Sequence, residues 1–455
     1  MYREGVRAFD KALIIDKNYA DVYFHQGLVL ANLGRHEEAI IAFNKNIDLD
    51  AGNAKAFYNK GLSLVATGRQ KDAIDTFDLV LQITPMSIET WLHRGMALAD
   101  LGRYNDAIED FEKTLGIDMA NADAWYLKGT ALFALTGYED AIEAFSKALE
   151  IHPNFVSAFY YKGRTLHELG MDNEAVVSYD NALAIQPKHI EALFHKGIAL
   201  TRLSRYDMAI ASFDLALRLR PTAAFIWTGK GVALSALGQD QDAISCYKKA
   251  LGIDTKDARA YYYLGLSFSH VGRYNDAIKN FDAALIHSPK CAKAFYQKGR
   301  ALASLAMYQE ASGAFDRALG ENGTFSDAWL YKGISEENLG RYSPALDCYD
   351  HAISIDATYA LPHLHRGVAL IHLNRHNEAL KAFDLALTLQ PEYPEAFYYQ
   401  GVTYLKLERF NDAITAFNQA LALNDQYSEV YYHKGIALVH IKNYDESIIA
   451  FDAAL

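Results

Sequence analysis

Cysteine is scarce in this chain of 455 residues: Cys246, Cys291 and Cys348 are the only three. With no CxxC pair and one thiol necessarily left over, neither a disulfide framework nor a zinc site is encoded, and a reducing, cytoplasmic setting fits best. No stretch approaches the ~20 consecutive apolar residues that cross a bilayer, and residues 1–7 lack the apolar run of an export signal. Basic charge is also in short supply. The 44 Lys and Arg face 56 Asp and Glu, a net charge of -12, which argues against the broad basic surface that nucleic-acid backbones require. HExxH, GxxxxGK[ST], GxSxG and GxGxxG are all missing. Linkers rich in Pro, Gly or Ser are missing too, although a globular chain of this length should split into domains at such joins. Disorder is excluded by 51% apolar residues, with 30 Tyr and 23 Phe.

What is present is a period. Gly27, Gly61, Gly95, Gly129, Gly163, Gly197, Gly231, Gly265, Gly299, Gly333, Gly367, Gly401 and Gly435 recur every 34 residues without an insertion. Set at repeat position 8, they make Ala20 position 1, so that repeats begin at 20, 54, 88 and onward to 428. Position 20 is then Ala in twelve repeats, from Ala39 to Ala413, with Ser447 in the last. Position 24 is aromatic in every repeat, from Phe43 to Phe451, and Trp91, Trp125, Trp227 and Trp329 all fall at position 4.

Each repeat reads as two helices. Positions 1, 4, 8 and 11, as in Ala20, Tyr23, Gly27 and Leu30, share one helical face. Glycine at position 15 in seven repeats, such as Gly34 and Gly340, marks a turn. An acid at position 19 in eleven repeats suits the positive end of a second helix, whose apolar stripe is positions 20, 21, 24, 27 and 28. Proline at position 32, as in Pro85 and Pro391, stops it.

These columns resemble the tetratricopeptide repeat, a helix-turn-helix unit of 34 residues, as residues 124–154 illustrate. The resemblance covers essentially the whole chain: thirteen in-phase repeats over 20–455, the last truncated, preceded by a leading second helix at 1–19. It implies an all-α superhelix of antiparallel helix pairs with neighbour-only contacts, and a noncatalytic scaffold for another protein, with no cofactor and no metal. Alternatives are the targeting or regulatory arm of a larger enzyme, such as a glycosyltransferase, or of a secretion or assembly machine, and a self-associating solenoid. One departure is systematic. Position 7, usually Leu in the family, is basic in ten repeats: Lys60, Arg94, Lys128, Lys162, Lys196, Lys230, Lys298, Lys332, Arg366 and Lys434. The family's carboxylate clamp for chaperone tails needs Lys at position 5 and Asn at position 9, and neither occurs, leaving Lys55 and Asn59 as isolated fragments. The asparagine ladder of the glycosyltransferase repeats is reduced to Asn59.

Helical geometry assigns the remaining faces. Positions 3, 10 and 14, as in Ala124, Ala131 and Leu135, suit packing on the preceding repeat. Positions 2, 5, 6, 9, 12 and 13 have no partner within the stack and are expected to line the concave surface. Seven tyrosines at position 5, Tyr58, Tyr126, Tyr160, Tyr262, Tyr296, Tyr398 and Tyr432, are candidate partner contacts; alternatively their rings pack between first helices and only the hydroxyls face outward. Arg164, His167, Arg202, Arg259, Lys293 and Arg300, with His270, form a central basic stretch fit to receive an acidic segment. Asp21, Glu89, Asp123, Glu395 and Glu429 lie toward the ends, and Glu191 and Asp327 interrupt the stretch.

Other signals are weaker. His363, His365, His372 and His376 crowd one repeat, but His365 and His372 stand ~10 Å apart along a helix, too far to share an ion. Asp at position 25, as in Asp78, Asp180, Asp214, Asp282 and Asp384, reads as a solvated face. Asn322-Gly323-Thr324 matches a glycosylation sequon that a cytoplasmic chain would not use. Val6, Phe9, Ala12 and Leu13 would lack a first-helix partner on one side, so end-to-end self-association is expected.

Overall fold

A helix of 13 residues and one of 14 alternate from Ala20 to His440, as in Ala54–Ala66 and Gln70–Ile83, and the last second helix, Tyr444–Ala454, has 11. The computed structural model describes Phe9 and residues 14–455, and among these the chain forms 26 helices and no strand. Most of the expected half-repeat at 1–19, with Val6, Ala12 and Leu13, lies outside the described residues. Two compact units are formed, Met1–Pro221 and Thr222–Leu455. The first holds six helix pairs, from Ala20–Asn32 to Tyr206–Leu219, and the second holds seven, from Ala224–Ala236 to Tyr444–Ala454. Within each unit the array is the all-α solenoid that the period predicts.

The turn at position 15 closes every pair in the same way. All thirteen residues there have positive φ: the seven glycines, and also Thr136, Ser204, Ala306, Asn374, Glu408 and Lys442 at 57° to 64°. The amide that follows donates back to position 11, as Arg69 does to the Leu64 carbonyl at 2.9 Å and Gly137 to Leu132 at 2.9 Å. This is the Schellman closure, in which a left-handed residue satisfies the last carbonyls of the helix. Glycine occupies that region freely, whereas a side chain there is strained by about 1–2 kcal/mol. Thr136→Gly, Ala306→Gly and Glu408→Gly are therefore each expected to stabilise their repeat by about 0.5–1 kcal/mol, read as a higher urea midpoint. A lower midpoint would refute the strain argument.

Side-chain caps start several first helices. Asn53, Ser87, Asn121 and Asp257, all at position 34, accept hydrogen bonds from amides of the opening turn. Second helices open instead on an ion pair between Arg at position 16 and the acid at position 19. Arg35–Glu38, Arg69–Asp72, Arg103–Asp106, Arg273–Asp276, Arg375–Glu378 and Arg409–Asp412 repeat this contact.

Inside each pair the position-24 ring lies directly on the position-8 glycine. A methyl group placed on Gly299 would sit 2.6 Å from Cε1 of Phe315, and the same approach recurs from Gly27 over Phe43 to Gly435 over Phe451. The position-20 alanines are fully buried beside these rings. Where position 24 is tyrosine the hydroxyl needs a partner. Tyr349 donates to Glu337 Oε2 at 2.5 Å, but the hydroxyls of Tyr179 and Tyr247 are buried with no hydrogen-bond partner among the described residues. Burial pushes all three hydroxyls well above the usual phenol range. Since an unsatisfied buried hydroxyl costs about 1–3 kcal/mol, Tyr247→Phe is expected to be neutral or stabilising in urea titrations. Tyr349→Phe should destabilise by about 1.5–3 kcal/mol through loss of a bond to a charged acceptor; equal effects of the two would refute this assignment.

The basic column at position 7 has a structural counterpart. Six of these ten cations pair with the position-25 acid of the preceding repeat: Arg94 with Asp78, Lys128 with Glu112, Lys196 with Asp180, Lys298 with Asp282, Lys332 with Asp316, and Arg366 with Asp350. Lys162 donates to Ser146 and Gln400 to Asp384 in the same register. The position-25 acids thus face solvent, as expected, yet half-exposed as they are they bind the next repeat. Where position 25 is basic, at Lys248, the following position 7 is the buried Leu264. Single pairs of this exposure contribute on the order of 0–1 kcal/mol, so the column sets the identity of neighbours more than it adds stability.

Position 4 ties down the inter-repeat loop. The indole N–H of Trp91 donates to the Pro85 carbonyl at 2.8 Å, that of Trp125 to Met119 at 3.0 Å, and that of Trp329 to Gly323 at 3.0 Å. On the arc expected to meet the preceding repeat, Ala124 and Ala131 are buried, whereas Leu135, where the helix ends, is 40% exposed.

Candidate functional site

The first helices carry the candidate partner surface, and its tyrosines have a shared geometry. In all nine repeats with an aromatic residue at position 5, that ring packs on the position-24 ring of its own repeat. Centroid separations run from 5.9 Å for Phe194–Phe213 to 6.3 Å for Tyr160–Tyr179 and Tyr398–Phe417. Five of these rings also meet position 6 of the next repeat: Tyr58 with His93, Tyr126 with Tyr161, Tyr160 with His195, Tyr296 with Tyr331, and Tyr398 with His433. The rings are therefore packing elements, and their hydroxyls also meet neighbours: that of Tyr58 stands 3.2 Å from His93 Nδ1 and that of Tyr398 3.5 Å from His433 Nδ1. Burial raises the hydroxyls of Tyr126, Tyr262, Tyr296 and Tyr398 to about 12, so they remain protonated donors at neutral pH. Tyr432 differs, being 52% exposed while still packed on Phe451.

The basic candidates fall into two groups of different character. In the Met1–Pro221 unit, Arg202 and His167 converge on the buried carboxylate of Asp172. Arg202 Nε stands 3.1 Å from Asp172 Oδ2 and His167 Nδ1 stands 2.5 Å from Oδ1. Arg202 also donates to the His167 carbonyl at 3.0 Å. The Arg202 charge is thus matched inside the fold, in a clasp between consecutive repeats, and the sequence gives no sign of it beyond an Asp at position 17 opposite an Arg at position 13. His270 repeats that register, 3.3 Å from Asp240. Arg164 instead lies over aromatic rings, 4.9 Å from the centroid of Phe133 and 5.6 Å from that of Tyr161.

In the Thr222–Leu455 unit, Arg259, Lys293 and Arg300 are exposed, and none forms an ion pair with a described residue. Arg300 is held 4.9 Å over the Tyr331 ring. Asp327, which interrupts this stretch in the sequence, accepts a hydrogen bond from the Tyr359 hydroxyl at 3.0 Å. A cleft between the helices Ala258–His270 and Ala292–Ser304 brings Arg300 together with Ser269, Gln297 and Ser304. The last three residues were not among the candidates, because polar residues at positions 6, 12 and 13 carry no periodic signal.

Among the described residues no three His, Cys, Asp or Glu side chains are placed to hold a metal ion. His363 is buried and His365 stacks on Tyr349, while His372 stacks on Tyr342 at 4.2 Å. No helix of the described residues is long and apolar enough to cross a membrane.

Family models described as tetratricopeptide repeat match residues 20–53, 92–155, 144–176, 173–224, 264–323, 296–360, 362–393 and 398–455, and one described as TPR repeat matches 233–269. Together they cover well over half of the chain. No functionally curated protein matches it. Among solved structures, the Cut9–Hcn1 hetero-tetramer of the APC/C is similar at 16% identity, over 96% of this chain and 93% of that one, with a TM-score of 0.45. Yeast Tom70 is similar at 16% identity over 95% and 96%, with a TM-score of 0.40. A tetratricopeptide repeat protein from Parabacteroides merdae is similar at 17% identity over 55% and 98%, with a TM-score of 0.47.

Proposed function

Because the chain belongs to the tetratricopeptide repeat family, we propose that it is a noncatalytic scaffold holding an acidic segment of another protein on the surface of its first helices. One observation carries this reading. In a chain of net charge -12, Arg259, Lys293 and Arg300 of the Thr222–Leu455 unit stand on first helices with no acidic partner among the described residues, while the position-7 cations that face an acid and the Arg202 clasp are matched internally. Unmatched cations on one face attract anionic partners and raise their association rate.

Photocrosslinking tests the choice of face. Benzoylphenylalanine in place of Leu266, on a first helix, is expected to capture a discrete protein from the native cell extract. The same residue in place of Ile286, exposed on a second helix, is expected to capture none. The opposite pattern would place the partner on the second helices and reject the reading.

A further inference from the structure

Arg300 is a charged side chain set against aromatic rings, with no ion-pair partner among the described residues. Its guanidinium carbon stands 4.9 Å from the centroid of Tyr331 and 6.0 Å from that of Tyr296. Tyr296 is itself buried between Phe315 and Phe325, so the guanidinium rests on a fixed support. A stacked guanidinium keeps its edge, with its fork of N–H donors, free for a planar oxyanion.

The cleft beside that edge measures about 220 Å³. Its polar lining is Ser269, His270, Tyr274, Gln297, Arg300 and Ser304, with no carboxylate. His270 of the lining faces Asp240 at 3.3 Å, and the Ser235 hydroxyl meets the same carboxylate at 2.7 Å. Burial opposes ionisation of Asp240, yet hydrogen bonds from Ser267, Ser235 and His270 hold it below the usual carboxylate range, so its charge is answered from its own side. That leaves Arg300 as the unmatched charge of the cleft, with Gln297 and Ser269 as neutral hydrogen-bonding groups. Arg259 and Lys293, exposed at position 2 of the same two helices, extend the positive field toward the helix starts.

We infer that the cleft between Ala258–His270 and Ala292–Ser304 is a carboxylate subsite in which Arg300 takes an Asp or Glu side chain of the partner segment through both guanidinium edge nitrogens. This rests on the groove reading above and specifies its chemistry. Arg300 becomes a specificity-determining residue, whereas Arg202 in the other unit, engaged with Asp172, is a structural one. Tyr296 and Tyr331 are positioning residues that act through Arg300.

The test uses the full chain and a short fluorescein-labelled peptide of Glu, Gly and Ser, read by fluorescence anisotropy, beside counterparts with Gln or phosphoserine in place of Glu. The Glu probe is expected to bind and the Gln probe to bind at least about tenfold more weakly, with Glu binding largely lost at about 0.5 M salt. Arg300→Gln should weaken the Glu probe about tenfold, and Arg300→Lys, which keeps the charge but not the fork, by about threefold. Lys256→Gln, an exposed cation away from the cleft, should leave binding unchanged. Far-UV circular dichroism and the fluorescence of Trp329 establish that each variant is folded. The subsite is overturned if the Glu and Gln probes bind alike, if the Glu probe fails to bind below about 1 mM, or if Arg300→Gln and Lys256→Gln weaken it equally. Tighter binding of the phosphoserine probe would overturn the carboxylate assignment in favour of a phosphoryl group. Failure here with crosslinking at Leu266 intact removes the subsite and keeps the groove; loss of both removes the groove.

Discussion

Phe315→Ala is expected to destabilise its repeat by about 3–5 kcal/mol, the cost of emptying a fully buried aromatic site. The ring is wholly inaccessible to solvent and shares a core with Leu302, Ala311, Ala328 and Trp329. Gly299→Ala probes the same contact from the other side. In an ordinary helix interior that change would be favourable by about 1 kcal/mol. Here the added methyl would meet Cε1 at 2.6 Å and both Cδ1 and Cζ at 2.9 Å, so overpacking by about 1–3 kcal/mol reverses the sign. Gly299→Ala combined with Phe315→Leu should recover part of the loss, because the smaller side chain makes room. Trp329 in the next repeat gives a local fluorescence signal for urea titrations in a background where Trp91, Trp125 and Trp227 are replaced by Phe. That matters because repeat arrays need not unfold as one cooperative unit. A cost below about 1 kcal/mol for Phe315→Ala would mean that the ring and glycine do not hold the pair together.

Arg94→Met is expected to be as damaging, by about 3–5 kcal/mol at neutral pH, through a different cause. Asp110 is only 2% exposed, and Arg94 grips both of its oxygens, Nε at 2.8 Å and Nη2 at 2.7 Å, while its third nitrogen reaches Asp78. Burial holds the Asp110 carboxyl above the usual carboxylate range, although Arg94 pulls it down. Removing Arg94 deletes the pull and leaves the burial, so the carboxyl rises further. A carboxyl raised by folding favours the folded state when protonated and opposes it when charged. The penalty should therefore be largest at neutral pH and shrink as the pH falls through the raised value. Arg94→Met with Asp110→Leu should restore most of the stability, since a buried pair replaced by apolar side chains is often neutral. Trp91, whose ring lies 4.7 Å from the Arg94 guanidinium, reports the transition. A pH-independent loss in the single variant would refute the buried-charge explanation.

The contacts within a repeat were legible in the sequence, and those between repeats were much less so. Gly299 and Phe315 occupy columns whose residue types announce a close approach, and the helix pairs follow from them. The turn was legible only in part: glycine marked it in seven repeats, but Thr136, Ser204, Ala306, Asn374, Glu408 and Lys442 take the same left-handed φ. There the closing hydrogen bonds and the packing of both helices override local preference. A period reveals columns but not which columns touch. The basic position 7 looked like a departure from the family until it met position 25 of the preceding repeat. The compensating pair Lys248 and Leu264 was the sequence signal that could have disclosed this. For the candidate site, the face was legible and the charge state of its members was not. Arg202 and Arg300 look alike in sequence, and only the position of Asp172 separates a clasped arginine from an unmatched one.

The contact between positions 25 and 7 also bears on how such an array can change over generations. A repeat whose position 25 is acidic accepts as its successor any repeat that brings Lys or Arg, so duplication or loss at those joints heals without a mismatch. The joint after Lys248 does not. A typical repeat placed there would set a lysine against a lysine, and the repeat of Leu264 moved elsewhere would leave an acid facing a leucine. The array therefore has a syntax in addition to a count, and the joint between Lys248 and Leu264 is a point at which shuffling of repeats meets resistance.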